Sequence, residues 1–207
     1  MPRTIRGQDM RQLRIFSRVL DRWAETNIRC ARAWEGVEEV PWWYNERALL
    51  SVLAAAVWQE RGIAFEEFRT EKRSRLKKAR RGLYPGRQDL YIRLRGKEFI
   101  AEAKRCWSGA TRSGPNVATS IDNRLDAACR DIQKTPSGGR KRLGLVFAIP
   151  YVRAHQRKSA AERIKRWLER VREVNYSCCA WVFPGRGRYA GNRPRIFPGI
   201  ALFIREA

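Results

Sequence analysis

Apolar residues recur along this chain at two periods, and the change from one to the other marks its elements. Between residues 7 and 33, Leu13, Phe16, Leu20, Trp23 and Asn27 fall at helical spacing with Val19 beside them. Arg11, Arg14, Arg18 and Arg22 take much of the opposite side. Steps of three and four bring side chains to one face of a helix, so this stretch predicts an amphipathic helix with a cationic side. The cluster Pro41-Trp42-Trp43-Tyr44 leads into a second predicted helix over 45–61, closed by Gly62. After Gly62 the period shortens. Residues 63–73 contain alternating positions and read as a strand. Leu90, Ile92 and Leu94 alternate, Gly96 turns the chain, and 99–104 returns, which predicts a hairpin. A Gly/Ser/Thr-rich loop over 107–120 precedes a helix over 121–134, and Thr135-Pro136-Ser137-Gly138-Gly139 ends that helix. Residues 143–152 read as a buried strand, 159–174 as a helix, and 178–183 and 200–204 as further strands. The Gly-, Pro- and Arg-rich connection 184–199 suits a nucleic-acid loop and an ordinary hairpin loop equally. The order of elements predicts an α/β domain over 41–207, a central mixed sheet flanked by helices, preceded by a basic helical extension over 1–40.

Composition narrows the partner. Lys and Arg total 44 against 21 Asp and Glu, a formal net charge of +23, and thirty-five of the 44 are Arg. The guanidinium fork matches phosphate oxygens, so the excess points to nucleic acid, and charge alone does not choose between DNA, the expected substrate, and RNA. Lys72 to Arg87 alone holds eight cationic residues in sixteen, and Lys72, Arg73, Lys77, Arg81 and Arg87 are candidate substrate contacts, with the loop after Trp107. The five cysteines include no CxxC pair and His155 is the only histidine, so a zinc finger and two-histidine phosphodiester chemistry are both excluded. Scattered, odd-numbered cysteines read as reduced thiols of a cytoplasmic protein, and Cys178-Cys179 as strand core. The basic N-terminus lacks the apolar stretch of a signal peptide, and the longest nearly apolar run, 48–58, is too short to cross a bilayer. A homodimer or a larger nucleoprotein assembly is compatible with this composition.

The hairpin carries the chemistry. Leu90, Ile92 and Leu94 share one face, so Asp89 and Tyr91 point the other way; on the returning strand Glu98, Ile100, Glu102 and Lys104 share a face. With Arg95-Gly96 as a two-residue turn, Asp89 falls opposite Glu102; a three-residue turn sets it opposite Ala103 instead. Facing carboxylates destabilise a sheet, and a shared cation supplies a reason for them. Mg²⁺ or Mn²⁺ takes oxygen ligands of this kind, completed by water and substrate phosphate. Lys104, two residues beyond Glu102 on the same face, can orient or deprotonate an attacking water and stabilise charge on the phosphate. The plain alternative is a surface hairpin with a Glu–Lys pair. Glu46 lies at helical spacing from Leu50, Leu53 and Val57, which puts an acid on the stripe facing the sheet; it also suits the dipole of a helix start.

A helix bearing Glu46, a strand, then Gly86-Arg87-Gln88-Asp89-Leu90 and Phe99-Ile100-Ala101-Glu102-Ala103-Lys104 resemble the PD-(D/E)xK restriction-endonuclease-like superfamily. Gln88 stands where that motif carries proline. The resemblance spans about half the chain, and implies a restriction-endonuclease-like core and Mg²⁺- or Mn²⁺-dependent endonuclease activity. It further implies Asp89 and Glu102 as metal-binding acids, Lys104 as catalytic lysine and Glu46 as a helix-borne acid and third metal ligand.

Overall fold

A computed structural model of the protein describes residues 4–33, 39–73, 83–110, 116–185 and 194–207, with the backbone alone at 71–73 and 83–84. Strand β1 (Ile5–Met10) opens the chain and leads into α1 (Ser17–Ala33), then α2 (Glu46–Gln59). The strands β2 (Ile63–Arg73), β3 (Leu83–Leu94) and β4 (Lys97–Gly109) follow in succession. Helix α3 (Val117–Gln133) crosses over to β5 (Lys141–Arg153), and α4 (Ala160–Val171) precedes β6 (Cys178–Phe183). Short β7 (Arg195–Ile196) and β8 (Ile200–Glu206) complete the set.

One sheet runs in the order β1-β6-β8-β5-β4-β3-β2, with β7 pairing the end of β5. Among the described residues only β4 and β5 pair in parallel, so the sheet is mixed as the sequence predicts. Alternation divides its residues between two cores. Leu90, Ile92, Ala101, Ala103, Leu145 and Phe147 face α1 and α2, whereas Val146, Ala148 and Cys106 face α3 and α4. The adjacent Cys178 and Cys179 in β6 split between those faces, both buried, and burial pushes both thiols up, Cys179 to about 11. Among the described residues no helix is long and apolar enough to cross a membrane.

The helix expected from residue 7 starts later than its pattern predicts. Helix α1 begins only at Ser17, and the residues before it supply β1, an edge strand antiparallel to β6 from Ile5↔Phe183 to Met10↔Cys178. Gly7 is required there, because a Cβ would lie 2.5 Å from the Trp181 ring. Phe16, Leu20 and Trp23 are buried in the same core as α2 and the sheet. Strand β4 also runs further than expected, through Trp107 to Gly109, where a loop was expected.

Candidate active site

Arg95 and Gly96, at φ 48° and 76°, form the two-residue turn of the β3–β4 hairpin. Positive φ at both positions matches the twist of paired strands, and it sets the register at Leu94↔Lys97 through Leu90↔Ala101. The next rung would join Asp89 to Glu102, and there the strands part. Strand β3 stays with β2 while β4 continues beside β5 alone. The fork leaves backbone groups of β4 without a partner strand, and side chains take that place. Gln88 Nε2 donates to the Ala101 carbonyl at 2.9 Å, and the Ala103 N–H donates to Asp89 Oδ2 at 2.8 Å. The Arg105 N–H donates to the Glu46 carboxylate. Ala103 is fully buried, so losing its acceptor would cost about 1–3 kcal/mol.

These contacts gather the residues singled out from the motif. Asparagine 45 caps α2, its side chain accepting from the Ala48 N–H at 3.1 Å, and this fixes Glu46 in the first turn beside the fork. Burial raises the Glu46 pKa, and the Asp89 charge raises it further, against opposing influences from Lys104, Arg105 and the Arg105 N–H. Glu102 is only 4% exposed. For Lys104 burial works to lower the pKa, but a hydrogen bond and charge from Asp131, with the charges of Glu102 and Asp89, reverse it to a net rise. Lys104 is therefore an ammonium, a cation and proton donor rather than a base.

Asp131 was not legible as a site residue. It lies on α3, its Oδ2 3.1 Å from Lys104 Nζ and its Oδ1 2.5 Å from Lys134 Nζ. The available signal was its place three residues after Ala128, at the margin of the stripe Ile121, Leu125, Ala128 and Ile132. Glu67 is a second unanticipated residue. Its rung opposite Asp89 is absent from the β2–β3 ladder, its φ is 49°, and Arg47 and Arg87 both pair with it. Gln88 is a third: its Oε1 is buried without a hydrogen-bond partner among the described residues.

The donors suit a hard divalent cation. Glu46, Asp89 and Glu102 offer carboxylate oxygens, and the mutual repulsion of Glu46 and Asp89 is what a cation would relieve. Among the described residues no group of three or more Asp, Glu, His or Cys side chains is placed to hold a metal ion, so Glu46, Asp89 and Glu102 do not converge as a three-acid site. Mg²⁺ does not require one, being held by one or two carboxylates with water and substrate oxygen. Of the candidate phosphate contacts, Arg87 is exposed and pairs with Glu67 at 3.3 Å. Lys72 and Arg73 lie in β2 with only their backbone described, and Lys77 and Arg81 fall outside the described residues.

Compared with known proteins, the chain matches no family model, no curated protein and no solved structure.

Proposed function

We propose that the protein is a nuclease of PD-(D/E)xK type, hydrolysing nucleic-acid phosphodiester bonds, DNA in preference to RNA, with Mg²⁺ or Mn²⁺. The observation that carries this reading is the gathering of Glu46, Asp89, Glu102 and Lys104 at one strand fork in a chain of net charge +23. Asp89 and Glu102 would hold the ion, with Glu46 as a neighbouring acid. When bound, the ion supplies Lewis-acid polarisation of the phosphate. The Lys104 ammonium, braced by Asp131, faces the negative charge that develops on the phosphate and can give a proton to the departing oxygen. A second reading, a non-catalytic nucleic-acid-binding or assembly protein on this scaffold, draws on the same contacts. Asp89 and Glu46 already serve the backbone of β4, and Lys104 already has an anionic partner.

Incubation with supercoiled plasmid, single-stranded DNA and RNA, under Mg²⁺, Mn²⁺ or EDTA, separates the two. Metal-dependent cleavage is expected, and Asp89→Asn, Glu102→Gln and Lys104→Ala should each lower it by about 100-fold or more while binding persists. Asn and Gln are chosen because they keep an acceptor for the backbone. Unimpaired cleavage by all three would overturn the assignment. Binding of Mg²⁺ with a Kd of about 1 mM, at about 10 mM ion, adds roughly 1.4 kcal/mol to wild-type stability. That is a Tm rise of about 3–6 °C in a domain of this size, which Asp89→Asn should lose.

A further inference from the structure

Among the described residues, no element covers the face of β2 and β3 that carries Asp89. Helix α2 packs on these strands from the opposite side and α3 packs on β4 and β5, so no helix lies along this face among the described residues. Aromatic rings occupy it. Phe65 and Tyr91 pair across the strands and stack at 6.1 Å with their planes 21° apart. Phe68 meets Tyr91 edge-on at 6.0 Å, and Trp58, at the end of α2, meets Phe65 edge-on at 6.4 Å. Phe65 is 55% exposed and Trp58 51%, large for side chains of this kind.

Cations border the rings. The Arg140 guanidinium sits 5.8 Å from the Tyr91 ring centre and 3.3 Å from Glu98, the acid that also faces the Tyr91 hydroxyl. Arg93, two residues on in β3, shares the side of Tyr91 by alternation. A cross-strand aromatic pair by itself stabilises a sheet, which accounts for Phe65 against Tyr91. It does not account for leaving these rings and Trp58 open to solvent beside cations. An unpaired base offers a flat π-face to stack there and a phosphate for the arginines, and such stacking tolerates any sequence. In a duplex those base faces are already stacked and out of reach. A second copy of this chain would instead bring another +23 charge against the patch.

We infer that Phe65, Tyr91, Phe68 and Trp58 form a stacking platform for unpaired bases of a DNA single strand, flanked by Arg93 and Arg140. The platform leads to the fork, since Tyr91 stands one side-chain repeat, about 7 Å, along β3 from Asp89. This deepens the nuclease reading and rests on it for the use of the platform: the substrate is a single strand, a flap or an overhang.

The test measures binding by the full-length protein in EDTA, so that cleavage plays no part. Fluorescence anisotropy with a labelled single strand is compared with the blunt duplex of the same sequence, at matched salt. Wild type should prefer the single strand. Phe65→Ser and Tyr91→Leu should each weaken single-strand binding by about tenfold and leave duplex binding within about twofold. Phe65→Ser, at an exposed position, covers the event that Tyr91→Leu fails to fold. Equal losses on both ligands, or no loss on either, would overturn the proposal. So would a concentration-dependent dimer that Phe65→Ser abolishes while single-strand binding stays intact. A protein that cleaves without this preference refutes the platform alone, and one with the preference but no cleavage refutes the nuclease reading alone.

Discussion

At the scale of single residues, Glu46 gives the most direct reading of the fork without substrate. Burial first, and the Asp89 charge second, raise its pKa above the ordinary carboxylate value of about 4.3. A raised folded pKa means the folded protein holds this proton more tightly than the unfolded chain. The resulting stability is therefore complete below the unfolded value and is lost as pH rises through the folded one. In metal-free protein at about pH 7.5 the ionised group works against folding. Glu46→Gln removes the charge yet keeps an oxygen for the Arg105 N–H. It should raise Tm in EDTA at that pH, and the gain should shrink steadily as pH is lowered towards about 4. A variant less stable than wild type throughout would show that the charge is not under strain. Lys104 has the same sign of linkage at a far higher pH, because here it is the charged form that the fold favours. Its pairing with Asp131 therefore persists through neutral pH and is lost in strong alkali as Lys104 deprotonates. It is lost in acid too, as Asp131 takes a proton; burial works to raise that point, but hydrogen bonds from Lys134 and Lys104 push it below the usual carboxylate range.

At the scale of elements, the site depends on how closely α3 approaches the sheet. Gly144 of β5 lies beside Glu102 in the parallel ladder, and a Cβ there would meet Cys129 Sγ of α3 at 2.6 Å. Gly144→Ala should cost about 1–3 kcal/mol through overpacking. It should also push α3 outward and draw Asp131 from Lys104, lowering the Lys104 pKa. Chemical denaturation together with NMR titration of the lysine would read both; a stable variant with an unmoved Lys104 would refute this account. The same dependence explains what the sequence disclosed. The hairpin register was legible because a two-residue turn and strict alternation determine it locally. Asp131 was not, because its helical phase relative to β4 is set by packing at Gly144. Nor was β1 legible: Ile5-Arg6-Gly7-Gln8-Asp9-Met10 has no clean alternation, and its partner strand comes at the far end of the chain. The fork itself escaped notice because alternation describes where strands pair and says nothing about where they separate.

At the scale of the whole molecule, charge dominates. With a net charge of +23, affinity for duplex DNA should fall with salt, log K against log salt having a slope of roughly −0.9 per phosphate neutralised. Reversing Arg73, Lys77 and Arg81 to Glu should weaken binding and flatten that slope. Affinity that is insensitive to salt between about 50 and 200 mM would remove these residues from the docking surface. Composition made this much legible from the start, since net charge needs no fold. What composition did not supply was the proposed division of labour between an electrostatic contribution common to all nucleic acids and an aromatic face for unpaired bases.

The fork has a consequence for descent. Asp89 and Glu46 act as substitutes for a missing strand, accepting from the buried Ala103 N–H and from the Arg105 N–H. A descendant without the proposed reaction would still need acceptors at these two places. Selection for a well-formed β4 would therefore keep side chains of this kind long after any selection for chemistry had ended. Among future relatives of this chain, retention of Glu46 and Asp89 would accordingly testify to an intact fold. Retention of Lys104 together with its brace, Asp131, is the separate mark to look for.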